Sequence, residues 1–148
     1  MKTAIKVVSG LCWLLFVFGC TQEASELFTL REDVETSTLN AIKVGYTYYF
    51  SGITAWDRET NSYPEGTAGQ TKAIMDKYAT ALNELGMDWD NVVKANVYIT
   101  DIQEKPLMNE VYYGYFEGFK RPCRVCVEAG LEGDAVVEIA MIAVKTGQ

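Results

Sequence analysis

Two predicted strands occupy residues 121–144, RPCRVCVEAGLEGDAVVEIAMIAV. Apolar, largely β-branched runs on both sides of the turn Glu132-Gly133-Asp134 are typical of buried strands. Arg124 and Glu138 bring charge into these runs. Because a permanently charged guanidinium is costly to bury without a partner, Arg124 predicts a binding site, an ion pair or a solvated face.

Upstream, aromatic and β-branched residues predict three further strands, and apolar residues at helical spacing predict two helices. Gly86 suits a helix C-terminus and Pro106 suits a first helical turn. Gly114 within the second helix costs roughly 1 kcal/mol relative to alanine, which indicates close packing or a ligand there. The predicted strands are 39–44, 46–51, 91–100, 121–129 and 135–145. The first helix is about 67–85, and its inner face carries Ile74, Met75, Tyr78, Ala81, Leu82 and Leu85. The second helix carries Leu107, Met108, Val111, Tyr112, Tyr115 and Phe116 on its inner face.

The order ββαβαββ predicts an α/β (α+β) fold, a single sheet with two helices on one face. The other face of this aromatic-rich sheet then lacks cover, which favours an oligomer. A length of 148 residues suits one domain, with 49% hydrophobic and 22% charged residues.

The chain contains no histidine, which excludes histidine-dependent triads and zinc sites that need imidazole. It has 13 basic and 20 acidic residues; without residues 1–19 it loses Lys2 and Lys6, and the net charge becomes −9. Nucleic-acid binding depends on basic side chains, so this acidity predicts no nucleic-acid partner and argues against ribonuclease activity.

The first 19 residues predict a signal peptide of the lipoprotein type. An apolar run at 7–18 follows Lys2 and Lys6 and would span roughly 18 Å as a helix, short of a membrane span. Cys20 ends a sequence similar to a lipobox, which predicts acylation of Cys20, export and membrane anchoring through lipid alone. Residues 20–38 would be a tether and N-terminal segment, and 39–148 the domain. A plain signal peptide or a misassigned start codon are the alternatives.

Five motifs occur in an ordered series: FSG at 50–52, NVVKANVYITD at 91–101, MNEVYYGYF at 108–116, RPCRVCVE at 121–128 and VVEIAMIAV at 136–144. In their order and spacing the chain resembles the reactive intermediate deaminase family, the YjgF-like enamine and imine deaminases. The resemblance implies a chorismate-mutase-like fold, a homotrimer with a site between neighbouring subunits, and neither cofactor nor metal.

The resemblance also implies four catalytic positions. Arg124 corresponds to the arginine that binds the substrate carboxylate, for which a planar charged fork is suited. The backbone N–H of Cys126 would hold the same carboxylate or a developing oxyanion. The carbonyl of Gly52 would position the attacking water or the imine nitrogen. Glu138 corresponds to the acid–base carboxylate, and it is expected to converge with Arg124 at the boundary between subunits.

Three more positions belong to the implied substrate pocket. Asn109 falls on a common family position, where a structural hydrogen bond is the alternative to a substrate contact. Thr38 stands where deaminating relatives carry a tyrosine, and Ile53 where relatives often have glutamine. Both changes remove polar groups or aromatic area from the pocket.

Each assignment has a structural alternative. Arg124 alone is typical of a surface or interface ion pair, Glu138 of an outward strand residue and Gly52 of a strand-end turn. Cys123 and Cys126 have C-x-x-C spacing, yet three residues of strand span about 10 Å, beyond the reach of a disulfide.

Two functions follow from these residues. One is the hydrolytic deamination of small 2-imino or 2-enamine acids to 2-keto acids and ammonia. The other is a non-catalytic module that binds a small carboxylate through Arg124.

Overall fold

The fold is known from a computed structural model that describes residues 31–145. The predicted signal peptide and Cys20 lie outside the described residues. Among residues 31–145, no helix has the length and hydropathy needed to cross a membrane. The elements are strands β1 (Arg31–Glu35), β2 (Asn40–Val44), β3 (Thr47–Phe50), β4 (Ile53–Thr54), β5 (Val92–Ile99), β6 (Cys123–Glu128) and β7 (Val137–Val144), and helices α1 (Gly66–Glu84) and α2 (Lys105–Gly114).

A single sheet contains all seven strands in the order β1-β2-β3-β7-β5-β6, with β4 paired to β7 beyond the end of β3. β7 runs antiparallel to β3, β4 and β5, whereas β5 and β6 are parallel. A parallel pair needs a long crossover, and α2 supplies it. The predicted elements are all present. β1 and β4 are additional, and β5 lies between β6 and β7.

The core lies between the two helices and one face of the sheet. Alternate residues of β5 and β7 are buried, as expected for strands covered on one side. The predicted inner face of α1 is confirmed by the burial of Ile74, Met75, Tyr78, Ala81 and Leu82. Gly86 has φ +64° immediately after α1, so it ends the helix as predicted.

Helix α2 corrects two expectations. Met108, Tyr112 and Phe116 are buried, but Leu107 is 47% exposed and does not belong to the inner face. Gly114 is also exposed, and a Cβ built on it would meet no atom within 4 Å. Close packing against the described residues therefore does not explain this glycine, and a ligand there stays a prediction.

A polar cluster joins α1 to the residue that follows α2. The Tyr115 hydroxyl donates to Oδ1 of Asp76 over 2.6 Å, and Lys72 Nζ lies 2.7 Å from Oδ2. Burial raises the pKa of Asp76, but these two hydrogen bonds outweigh it and the pKa lies below its usual value.

The face of the sheet opposite the helices carries apolar side chains that none of residues 31–145 covers. Tyr49 is 47% exposed, and Val125 and Val127 are exposed to a similar extent. Tyr98 and Ile142 lie half-buried on the same face. This surface, called here the open face, matches the uncovered sheet that the sequence predicts.

Candidate functional site

A β-bulge separates β3 from β4. Tyr49 of β3 pairs with Ile142 of β7, and Ile53 of β4 pairs with Ile139 of β7. The chain therefore advances four residues from β3 to β4 while β7 advances three, which leaves one extra residue on the β3–β4 side. Ser51 and Gly52 lie in this interval and both are exposed. An extra residue of this kind bends a strand and changes the direction of the groups beside it.

The buried hydroxyl of Tyr78 on α1 holds the bulge in place. Its oxygen lies 3.1 Å from the carbonyl of Ser51 and 2.9 Å from the carbonyl of Ile139. Burial raises the pKa of Tyr78 far above the usual phenol value; a backbone hydrogen bond with Met141 lowers it, and the charge of Glu138 raises it further. The hydroxyl therefore remains protonated and able to donate to these carbonyls.

Gly52 leaves room for the carboxylate of Glu138. A Cβ built on Gly52 would collide with Oε1 of Glu138. Thr54 lies opposite Glu138 on β4, and Tyr98 lies opposite it on β5. Glu138 is half-buried, and its carboxylate makes no hydrogen bond or ion pair with any residue of 31–145. Gly52 and Glu138 are called here the acid half-site.

Arg124 lies on β6 under aromatic side chains of α2. Its guanidinium carbon is 4.8 Å from the ring centroid of Tyr112 and 4.9 Å from that of Tyr113, and Nη1 lies 3.6 Å from Sδ of Met108. Stacking on aromatic faces fixes the plane of a guanidinium but leaves its N–H edges available. No carboxylate of the described residues pairs with this half-buried cation.

Two buried polar atoms on α2 lack partners in the described part of the chain. They are Oδ1 of Asn109 and the hydroxyl of Tyr112, which lie one helical turn apart. Burial raises the pKa of Tyr112 well above the usual phenol value, although the charge of Arg124 opposes this, so the hydroxyl stays protonated. Buried unpaired groups are rare, and a ligand, a water or another chain is the usual explanation.

The backbone N–H of Cys126 points to the free edge of the sheet. β6 is the last strand, and the N–H of Ala129 bonds to the carbonyl of Ile99 on β5. Because backbone groups alternate between the two sides of a strand, the N–H of Cys126 points away from β5. Such edge groups are open to another molecule. Arg124, Cys126, Asn109 and Tyr112 are called here the arginine half-site.

The two half-sites face opposite sides of the sheet. Arg124 is level with Ala95 on β5, whose side chain is buried on the helix side. Glu138 is level with Tyr98, three residues further along β5 and therefore on the open face. The expected convergence of Arg124 and Glu138 does not occur within one chain.

The remaining predicted residues divide between core and surface. Ile53 packs against the core, so its side chain faces away from Glu138. Thr38 is exposed, and its hydroxyl donates to the carbonyl of Lys77 over 2.8 Å. The thiols of Cys123 and Cys126 are free, as strand geometry predicts. Among residues 31–145, no group of three histidine, cysteine, aspartate or glutamate side chains could hold a metal ion.

Two residues beside the acid half-site were not anticipated from the sequence. Tyr78 follows the apolar spacing of α1, which hides the role of its hydroxyl. Lys77 looks like an ordinary surface lysine, but it is half-buried and its Nζ lies 2.7 Å from the carbonyl of Trp56. The available signal in the sequence was that both residues place a polar atom in or next to the apolar face of α1.

Comparison with known proteins identifies the family. The model of the family described as Endoribonuclease L-PSP matches residues 34–145, and the chain belongs to this family. A RutC family protein from Pyrococcus abyssi is 38% identical over 107 residues, which cover 71% of this chain and 84% of the relative.

Two solved structures share the fold. YyfA, a conserved Rid family protein of unknown function from Yersinia pestis, has a TM-score of 0.72 at 28% identity, and the match covers 78% of this chain and 99% of YyfA. TdcF of E. coli with bound serine has a TM-score of 0.67 at 26% identity, over 72% and 86% of the two chains. The predicted mixed α+β, chorismate-mutase-like fold is thereby confirmed.

Proposed function

We propose that the protein hydrolyses small 2-imino and 2-enamine acids to 2-keto acids and ammonia, at sites that neighbouring copies complete. One observation carries the proposal. Arg124 is a half-buried, stacked cation without a carboxylate partner in the described residues, and the unpaired carboxylate of Glu138 lies on the opposite face of the sheet.

A ring of identical chains would bring unlike faces together. In a heterologous interface, one surface of a chain contacts a different surface of the next, and a closed rotation gives a ring. The arginine half-site of one copy would then meet the acid half-site of its neighbour. The apolar open face supports such a homotrimer, because it offers surface for another copy to cover.

Arg124 would hold the substrate carboxylate. A guanidinium forms two parallel charge-assisted hydrogen bonds with a carboxylate, and its stacked plane sets their direction. The N–H of Cys126 at the sheet edge would add a third donor without reorganisation. The unpaired Oδ1 of Asn109 would accept a hydrogen bond from the imine nitrogen or from a bound water.

Glu138 would act as acid and base. An enamine first gains a proton on carbon and loses one from nitrogen, which gives the imine. Water then attacks C2 while Glu138 accepts one of its protons, and the nitrogen takes a proton from solvent, which gives a carbinolamine. Glu138 returns its proton to the nitrogen as the C–N bond breaks and the carbinolamine hydroxyl releases its proton to solvent, so that imine and water give 2-keto acid and ammonia. The carbonyl of Gly52 would orient the water.

The comparisons support the ligand class. The TdcF structure contains serine, which is a small molecule with a carboxylate beside a nitrogen-bearing carbon. This fits a site built around one guanidinium. The endoribonuclease in the family description has no comparable support here, because the chain carries 13 basic against 20 acidic residues and no histidine.

Ammonia release tests the proposal. Imino acids are generated in place by an amino-acid oxidase, and the protein should accelerate ammonia formation. Arg124→Ala and Glu138→Gln should each reduce this acceleration by roughly 10²-fold or more. Arg121→Ala is the matched control, since Arg121 is exposed and stacks on Tyr113 at 4.2 Å. Unchanged rates in both site variants would contradict the proposal.

A non-catalytic carboxylate-binding module is the second candidate. Two residues favour it. Thr38 stands where deaminating relatives carry a tyrosine, and its hydroxyl bonds to the backbone of α1 instead of lining the pocket with an aromatic ring. Ile53 faces the core and adds no polar group to the site. Binding of 2-oxobutyrate that depends on Arg124 but survives Glu138→Ala, without turnover of any imino acid, would support this function.

The proposal includes a location outside the cytoplasm. A lipoprotein signal followed by Cys20 would place the protein at a membrane through acyl chains. Metabolic labelling with a fatty-acid analogue should mark the protein, and Cys20→Ser should abolish the label. Labelling that persists in Cys20→Ser would contradict the anchor.

A further inference from the structure

A cleft of about 700 Å³ opens beside the acid half-site. Its walls are residues 36–40 and 52–59, together with Lys77 on α1. Gly52, Ile53 and Thr38 therefore share one cleft. Its volume lies within the range of small-molecule sites and exceeds what the smallest 2-imino acids need.

Lys77 provides a fixed cation in this cleft. Its Nζ lies 2.7 Å from the carbonyl of Trp56 and 3.4 Å from that of Thr54. An ammonium has three N–H donors, so at least one remains available. Burial lowers the pKa of Lys77, as does Arg58, whereas Asp57 raises it. The two carbonyls orient the ammonium without neutralising its charge.

The other charged groups of the cleft leave this cation unpaired. No carboxylate within the described residues lies close enough to form an ion pair with Lys77. Oδ1 of Asp57 accepts the backbone N–H groups of Glu59 and Thr60, over 2.8 and 3.4 Å, which ties this carboxylate to its own turn. Glu59 is exposed, and exposed Arg58 adds a second positive charge to the lining.

An aromatic ring lines the same cleft as the cation. The ring of Trp56 packs edge-on against Tyr63 at 5.1 Å between centroids, and Trp56 lines the cleft. A cleft that contains both an aromatic ring and a fixed ammonium suits a short carbon chain that ends in an anionic group.

We propose that this cleft selects dicarboxylic substrates, with Lys77 as the partner of the second carboxylate. The inference rests on the proposed function and names its substrate class: 2-imino acids that carry another acid group a few carbons away. The first carboxylate binds Arg124 of a neighbouring copy, and the second binds Lys77 in the cleft that Gly52 also lines.

Lys77→Gln tests this selection in the full chain. Glutamine retains an N–H donor for the carbonyls of Trp56 and Thr54 but removes the charge. Lys77→Arg restores the charge. Lys72→Gln is the matched control, because Lys72 is an exposed lysine on the same helix that pairs with Asp76. Circular dichroism verifies that each variant is folded.

Binding and turnover are measured with a dicarboxylate and a monocarboxylate. Lys77→Gln should weaken 2-oxoglutarate binding about 10-fold and 2-oxobutyrate binding less than 2-fold, as expected for one charge-assisted contact. Lys77→Arg should recover most of the lost affinity for 2-oxoglutarate, and Lys72→Gln should leave the affinity for both ligands unchanged. The kcat/KM for the imino acid made from glutamate should fall with Lys77→Gln in the same proportion.

Two results separate this inference from the proposed function. Ammonia release from monocarboxylic imino acids, with no effect of Lys77→Gln on either ligand, would support the function and overturn the inference. Binding of 2-oxoglutarate that depends on Lys77, with no ammonia released from any imino acid, would overturn the function and retain the ligand class. A wild-type preference for 2-oxobutyrate would also overturn the inference.

Discussion

Gly52→Ala should inactivate the protein without unfolding it. The new Cβ would collide with Oε1 of Glu138, so the carboxylate has to move. The colliding atom is the end of a flexible side chain, and the backbone at Gly52 does not have the positive φ that disfavours alanine. We therefore expect a change in the free energy of unfolding below about 1 kcal/mol.

The expected loss of activity is much larger than this change in stability. A displacement of about 1 Å in a catalytic group costs on the order of 10²-fold in rate, which corresponds to about 2.7 kcal/mol of transition-state stabilisation. The loss of activity is measured as the decrease in kcat/KM for ammonia release, and the change in stability is measured by urea denaturation. Gly114→Ala is the matched control, since its Cβ meets no atom within 4 Å.

A double variant tests the cause of the loss. If Gly52→Ala acts by displacing the carboxylate, then adding it to Glu138→Ala should cost almost nothing further, because the group it displaces is already absent. Full activity in Gly52→Ala, or additive losses in the double variant, would refute this reasoning.

Three further predictions concern other parts of the molecule. Tyr78→Phe should lower the free energy of unfolding, measured by urea denaturation, by about 1–3 kcal/mol, since the buried carbonyl of Ile139 and the part-buried carbonyl of Ser51 lose this donor; an unchanged midpoint would contradict the role of the hydroxyl. Arg124→Lys should weaken 2-oxobutyrate binding, measured by calorimetry, by roughly 10-fold through loss of the bidentate fork, whereas Arg121→Lys should leave it unchanged. Asp76→Asn should lower stability by less than about 1 kcal/mol at pH 7 and flatten its decline in acid. The sign follows from the lowered pKa of Asp76: its contribution is present above the unfolded pKa and is lost as the pH falls through the folded pKa.

Local patterns predicted much of the fold because they depend on neighbours in sequence. The apolar stripe of α1 and the glycine after it fix both the buried face and the end of that helix. β1 escaped prediction because its sequence, REDVE, has four charged residues among five. Leu107 is exposed since hydrophobicity alone does not decide which residues a short helix buries.

The candidate site depended on contacts that sequence spacing does not encode. Arg124 and Glu138 lie on consecutive strands of the chain, yet β5 separates those strands in the sheet and the residues face opposite sides. The bulge at Gly52 is a one-residue offset stabilised by Tyr78 from a distant helix. The resemblance was enough to predict Arg124 and Glu138 as site residues, but the face of the sheet on which each lies depends on the order of the strands.

The central claim is that each site combines Arg124 of one copy with Glu138 of another. Arg124→Ala and Glu138→Gln chains, each inactive alone, are unfolded together in equal amounts, refolded and assayed for ammonia release. Random assembly should restore about a quarter of wild-type activity, because one neighbouring pair in four joins two intact half-sites. No recovery in mixed oligomers that demonstrably contain both chains would contradict the claim.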